Sequence, residues 1–191
     1  MSQEKKYLEI ESKYSADNIS RLDFKSLLST LNPKNFLYVE SKDVYYTKGE
    51  NEFLRHRNRP NFGSDERSEL TFKKKHISTN NIVRTEVNLR VDKNSAELVE
   101  AFCKGLGYEK NFSVEKFCDI YYFDDGDVVY YSVIDEEGKT ASFLEIECDE
   151  DADLTEDQAR EVISKYEKLL APIGITPQKR MKLSLFERYR K

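Results

Sequence analysis

The feature that most constrains this chain is charge alternating along one extended stretch after another. Glu9-Ile10-Glu11-Ser12-Lys13 near the start is answered by Glu145-Ile146-Glu147 near the end. Between them come Leu54-Arg55-His56-Arg57, Thr71-Phe72-Lys73-Lys74-Lys75 and Arg84-Thr85-Glu86. In a β-strand, residues i and i+2 share a face. Each stretch therefore aims a ladder of charges to one side and mostly apolar residues, such as Ile10, Phe72 and Ile146, to the other. One such strand is an ordinary solvated face. Several in phase, mixing both signs, would be costly in a dry core, because each unpaired buried ion is destabilising by several kcal/mol. A sheet curled around a hydrated lumen, holding a metal ion and a polyanion, is the cheaper arrangement.

Composition agrees with a polar interior. Of 191 residues, 38% are apolar and 35% charged, more charged than an ordinary globular domain, yet 12% are aromatic, which argues for a real core. The length suits one domain over 1–191, with barrel motifs over 7–149 and a helical segment over 155–191. A net charge of −5 argues against general nucleic-acid binding. Cys103, Cys118 and Cys148 are odd in number and lack C-x-x-C spacing, so reduced thiols fit better than disulfides or zinc. The polar N-terminus and the lack of a long apolar run predict neither signal peptide nor membrane span, hence a cytoplasmic protein.

The patterning predicts strands near 7–14, 36–47, 52–59, 67–75, 82–92, 112–123, 127–135 and 141–149. Helices are expected from a cap at Ser15 or Asp17 to about Leu31, and over 94–106 with Leu98, Val99, Phe102 and Leu106 inward. Thr155-Glu156-Asp157-Gln158 is a capping-box pattern opening a helix to about Ala171, and a last helix is expected over Gln178–Arg190 after Pro172 and Pro177. The fold class is mainly β with α: an eight-stranded antiparallel β-barrel with flanking helices.

The ladders also supply ligands. A hard divalent cation takes several oxygen donors, which Glu9 with Glu11 and Glu145 with Glu147 offer in pairs. Alone, E-x-E-x-K more often marks a solvated face; two E-x-E strands in one chain are a stronger signal. Arg55 and Arg57 present planar forks suited to phosphate, with Lys73, Lys75, Arg84 and Lys116 in support. Asp135 reads equally as a metal ligand or a turn residue, and Glu86 as a metal ligand or a partner of Arg84. His56 and His76 have no ligand-like spacing.

In this order the motifs resemble those of the CYTH superfamily, the triphosphate tunnel metalloenzymes. Glu9, Glu11 and Lys13 match E-x-E-x-K; Asp43-Val44-Tyr45-Tyr46 and Leu54-Arg55-His56-Arg57 are similar to D-x-Y-Y and L-R-x-R. Leu70-Thr71-Phe72-Lys73, Arg84-Thr85-Glu86 and, after Asp135, Phe143-Leu144-Glu145-Ile146-Glu147 resemble the remaining segments. The resemblance implies a triphosphate-containing small molecule held in a tunnel with Mg²⁺ or Mn²⁺. It assigns Glu9, Glu11, Glu86, Asp135, Glu145 and Glu147 to the metal and Lys13, Arg55, Arg57, Lys73, Lys75, Arg84 and Lys116 to the phosphates. Glu11, Lys13 and Glu147 would be catalytic. The implied reaction is hydrolysis of inorganic, nucleoside or thiamine triphosphate. The alternatives are a class IV adenylyl cyclase forming cyclic AMP and pyrophosphate, and a non-catalytic nucleotide or polyphosphate binder. A homodimer is compatible with this format. The chain departs from the pattern at Lys116-Phe117-Cys118, where the family has K-x-R; Lys75, Lys179 or Arg180 could replace that cation.

Overall fold

The computed structural model describes residues 8–50, 52–60, 67–75, 83–91, 96–148 and 155–191. Eight strands form an antiparallel barrel: β1 (Leu8–Ser15), β2 (Asn35–Thr47), β3 (Glu52–Arg59), β4 (Arg67–Lys75), β5 (Val83–Val91), β6 (Glu109–Tyr122), β7 (Gly126–Asp135) and β8 (Thr140–Cys148). Their order around the barrel is β1-β5-β4-β3-β2-β6-β7-β8. Closure rests on β1, which serves two partners in succession. Residues Leu8–Ile10 pair with β5, and Glu11–Ser15 pair with β8. The eight-stranded expectation is met, with strand ends within three residues of those read from the sequence.

Two apolar layers cover the outer wall. Helices α1 (Arg21–Thr30) and α3 (Glu156–Leu170) bury Phe24, Leu28, Ile163, Tyr166 and Leu170 against Ile10, Tyr14, Tyr130, Leu144 and Ile146. Helix α2 (Ala96–Gly105) buries Val99 and Cys103 against Tyr46, Leu54, Leu70 and Tyr108. Leu98, Phe102 and Leu106, expected inward, are exposed instead. The wall presents room for one ridge of the helix, and the ridge bearing Val99 and Cys103 takes it.

Helix termini follow local chemistry, with two corrections. The first helix is capped by Ser20, not Ser15 or Asp17, because its hydroxyl accepts from the Asp23 amide. Asp17 instead accepts from the Ser142 amide at 2.7 Å. Thr155 and Gln158 form the expected capping box. The single helix expected over Gln178–Arg190 is divided into a 3₁₀ turn, Pro177–Lys179, and α4 (Leu185–Tyr189), which has its own capping box from Ser184 and Glu187. Between them the chain runs beside β1, where the Met181 amide donates to the Lys13 carbonyl at 2.7 Å. Glu167 fixes this crossing by accepting from Tyr14 at 2.5 Å and from the Arg180 fork at 2.6 and 2.7 Å.

Helix α4 then passes beneath the barrel. Phe186 stacks on Phe53 with ring centroids 4.4 Å apart, and Tyr45 stacks on Phe112 at 4.4 Å. With Val114, Cys118, Val129, Tyr131, Val133 and Phe143 these rings form an apolar layer inside the barrel. One end of the lumen is thus closed by the protein's own C-terminal helix. No helix of the described residues is long and apolar enough to cross a membrane.

Candidate metal and phosphate site

Alternation along the strands brings most of the charged ladders to one lumen. A cavity of about 190 Å³ is lined by Glu11 and Lys13 of β1, Arg55, Arg57 and Arg59 of β3, and Glu69 and Lys73 of β4. Glu86 and Asn88 of β5, Lys116 of β6, and Glu145 and Glu147 of β8 complete its polar wall, while Leu185 and Phe186 floor it. The apolar residues between them face outward, as a period of two requires.

One wall is acidic. Glu11 pairs across the seam with Glu147, and Lys13 with Glu145. Directly paired residues share a face, so three carboxylates converge: one oxygen each from Glu11, Glu145 and Glu147 lies within 4.8 Å of the others. The Lys13 ammonium stands 2.5 Å from Glu145 and 3.7 Å from Glu11. Tyr131, wholly buried, donates to Glu145 Oε1 at 2.6 Å. Burial alone would raise the Glu145 carboxyl, but Lys13, Lys116 and the Tyr131 hydroxyl together hold it well below the usual range. An ionised carboxylate cluster of this kind is a hard oxygen donor set, which fits Mg²⁺ or Mn²⁺. Gly126 permits the close approach of β7 behind it, because a Cβ there would lie 2.4 Å from the Glu147 carbonyl oxygen.

The facing wall is basic, and its cations are set by carboxylates. Arg57 grips wholly buried Asp43 in a fork, Nε to Oδ1 at 2.8 Å and the second arm to Oδ2 at 2.6 Å. Burial would raise the Asp43 carboxyl; the adjacent guanidinium overrides this and holds it far below its ordinary value. Lys73 meets Glu86 at 2.6 Å. Arg55 donates to Thr71 Oγ1 at 3.1 Å and lies 3.6 and 3.8 Å from Glu69 and Glu86. Its Nε–H is buried without a partner among the described residues, a donor that an anion in the lumen would satisfy. Lys116 reaches in from β6 with its ammonium 3.9 Å from the Tyr131 ring centroid. Burial and then Arg57 lower its pKa.

The structure thus brings Glu11, Lys13, Arg55, Arg57, Lys73, Glu86, Lys116, Glu145 and Glu147 together. Glu86 stands on the basic side, paired with Lys73, and not in the carboxylate cluster. Asp135 takes the turn role that the sequence also offered: its Oδ1 accepts from the amides of Glu137 and Lys139 at 2.9 Å each, and it stands outside the carboxylate cluster. Glu9, Lys75 and Arg84 lie in paired strands, Glu9 and Lys75 both opposite Arg84, but their side chains fall outside the described residues.

Cys118 shares the lumen face with Lys116, two residues away, and is packed into the apolar layer across from Val39 and Tyr131. Neither Lys179 nor Arg180 replaces a cation there. Lys179 is exposed, and Arg180 is held by Glu167 outside the barrel. Sequence reasoning missed the structural parts of Asp43, Glu69 and Tyr131. Asp43 was visible in the D-x-Y-Y motif, whereas Tyr131 sits in an unmarked apolar run. Asp127, directly opposite Glu147, also went unnoticed.

No family model and no curated protein matches this chain. Solved structures do. A conserved hypothetical protein of Pyrococcus furiosus is 27% identical, with a TM-score of 0.74 over 94% of this chain and 98% of its own. A candidate adenylate cyclase of Bacillus halodurans is 17% identical, with a TM-score of 0.60 over 97% and 99%. The capping-enzyme triphosphatase of Mimivirus is 12% identical, with a TM-score of 0.57 over 87% and 90%. The fold is that of an antiparallel barrel with a charged tunnel. The likeness to the adenylate cyclase and to the triphosphatase is one of fold.

Proposed function

We propose that this chain is a divalent-metal-dependent triphosphatase that hydrolyses a triphosphate inside the barrel. The observation that carries the reading is a three-carboxylate cluster facing Arg55, Arg57, Lys73 and Lys116 across one cavity. Glu11, Glu145 and Glu147 would hold Mg²⁺ or Mn²⁺, which supplies charge neutralisation at the phosphate oxygens. Glu86 serves as the partner of Lys73, and Glu9 remains a candidate ligand on its position in β1.

The protein's own groups divide the remaining work. Arg55 clamps phosphate oxygens with its planar fork, Arg57 offers the arm that Asp43 does not hold, and Lys73 and Lys116 act as point charges. Lys13, at the border of the two walls, moves from Glu145 towards a phosphate oxygen and stabilises the charge gathering on the leaving phosphate. Glu147, the least buried of the three carboxylates, accepts the proton of the attacking water. Water bonds to the terminal phosphorus as the bridging P–O bond breaks. The three unpaired, buried cysteines suit a reducing cytoplasm.

The test is to incubate the protein with inorganic triphosphate, ATP or thiamine triphosphate under Mg²⁺ or Mn²⁺ and identify every product. Orthophosphate release is expected. Cyclic AMP with pyrophosphate would replace hydrolysis by cyclisation, and tight binding without turnover would make the chain a polyphosphate sensor.

A further inference from the structure

Helix α2 carries two apolar stripes, and among the described residues only one is buried. Val99 and Cys103 are buried against the barrel. Leu98, Phe102 and Leu106 occupy the adjacent ridge and are 73%, 54% and 48% exposed. Ala101 and Gly105 are exposed as well, so positions 98, 101, 102, 105 and 106 make a continuous strip at helical spacing. Leu89 is 56% exposed on β5, opposite Leu70, which packs in the same cluster as Val99 and Cys103. A single exposed leucine is ordinary, but an apolar patch on a chain this rich in charge marks a contact surface.

We infer that this strip is a dimer interface, formed by α2 of one protomer against α2 of a second copy packed antiparallel about a two-fold axis. The charges of the helix are arranged for such a partner. Glu97 lies in its first turn and Lys104, which stands 2.7 Å from Glu100 of its own helix, in its last, so that the ammonium can be shared with a partner. An antiparallel copy therefore brings Glu97 beside the partner's Lys104, and two-fold symmetry repeats the pair. The helix dipoles also oppose. Ala101 and Gly105 lie among the large side chains and let the two axes approach closely.

The strip is short. A ten-residue helix spans about 15 Å, and a standard interface buries about 800 Å² per partner. The dimer is accordingly reversible and concentration-dependent. It leaves the lumen free, because α2 packs on the outer face of β2–β4, whose alternate residues Tyr45, Arg55 and Lys73 face inward.

Sedimentation equilibrium over a wide concentration range, with a thermal melt of each variant as a folding control, tests the interface. Wild type should pass from monomer to dimer, and Phe102→Glu should remain monomeric with an unchanged melt. Glu97→Lys and Lys104→Glu should each weaken association by on the order of tenfold, since symmetry doubles each change. The double exchange, Glu97→Lys with Lys104→Glu, should restore it. A monomeric wild type at every concentration, a Phe102→Glu protein that dimerises like wild type, or a double exchange no better than the singles would overturn the inference.

Discussion

On the acidic wall, three carboxylates crowd within 4.8 Å and are steadied chiefly by one ammonium and one phenol. On the basic wall, cations are matched to carboxylates pair by pair: Arg57 to Asp43, Lys73 to Glu86, and Arg55 to Glu69 and Glu86. The first arrangement concentrates like charge, so it gains most from a bound cation. The second offsets part of its own charge and fixes its donors in place before any ligand arrives. Phosphate binding is then an exchange of partners for Lys13 and Lys73, whereas Arg57 has no reason to leave Asp43. Catalytic sensitivity should accordingly lie on the acidic wall and stability on the basic one.

The largest effect expected on the acidic wall is catalytic. Glu147→Gln should lower turnover by more than about 100-fold, the upper end for losing an indirect metal contact. Glu11→Gln should do the same while holding or raising the melting temperature, because it relieves repulsion between carboxylates. Full activity of either variant, or of wild type in EDTA, would end the metal reading. The basic wall should answer differently. Asp43→Ala strands a buried guanidinium and should cost about 3–5 kcal/mol in urea unfolding, whereas Asp43→Leu with Arg57→Met should cost far less. Equal losses from the two would show that the pair is not structural.

Cys118 sharpens the boundary between the walls. Arginine there enters a packed apolar layer beside Lys116 and near Arg57, so Cys118→Arg should destabilise by about 1–3 kcal/mol or more without tightening triphosphate binding. Tighter binding at an unchanged melting temperature would mean that the lumen has room for the family's second cation. The smallest effect concerns the outer face. Burial lowers the His56 pKa, with Asp43 opposing only in part, and its Nε2 lies 2.8 Å from Ser68 Oγ. A folded pKa below the unfolded value means that stability is full above about 6.5 and declines as pH falls from there towards the lowered value. His56→Gln should flatten this slope in melts across that window without altering turnover. A slope that persists unchanged assigns it elsewhere.

The barrel and most of the lumen were legible because a strand's period of two writes each wall directly into the sequence: Glu11 and Lys13, Arg55 and Arg57, Glu145 and Glu147 could face only one way together. What the pattern could not supply was which groups each charge would meet. Asp135 has the same side chain in a turn as at a metal, and only the β7–β8 hairpin reveals the turn role, in which it accepts from two amides. The apolar positions of α2 announced a helix with a broad apolar face; the curvature of the barrel then chose Val99 and Cys103 and left Leu98 and Phe102 outside. Arg180 was available in sequence as a lumen cation, yet Tyr14 and Glu167 capture it on the outer surface. Periodicity is local and survives in one dimension. The pairing of Lys13 with Glu145, and the floor that Phe186 lays under the lumen, depend on contacts between segments more than one hundred residues apart, and only the tertiary structure decides those.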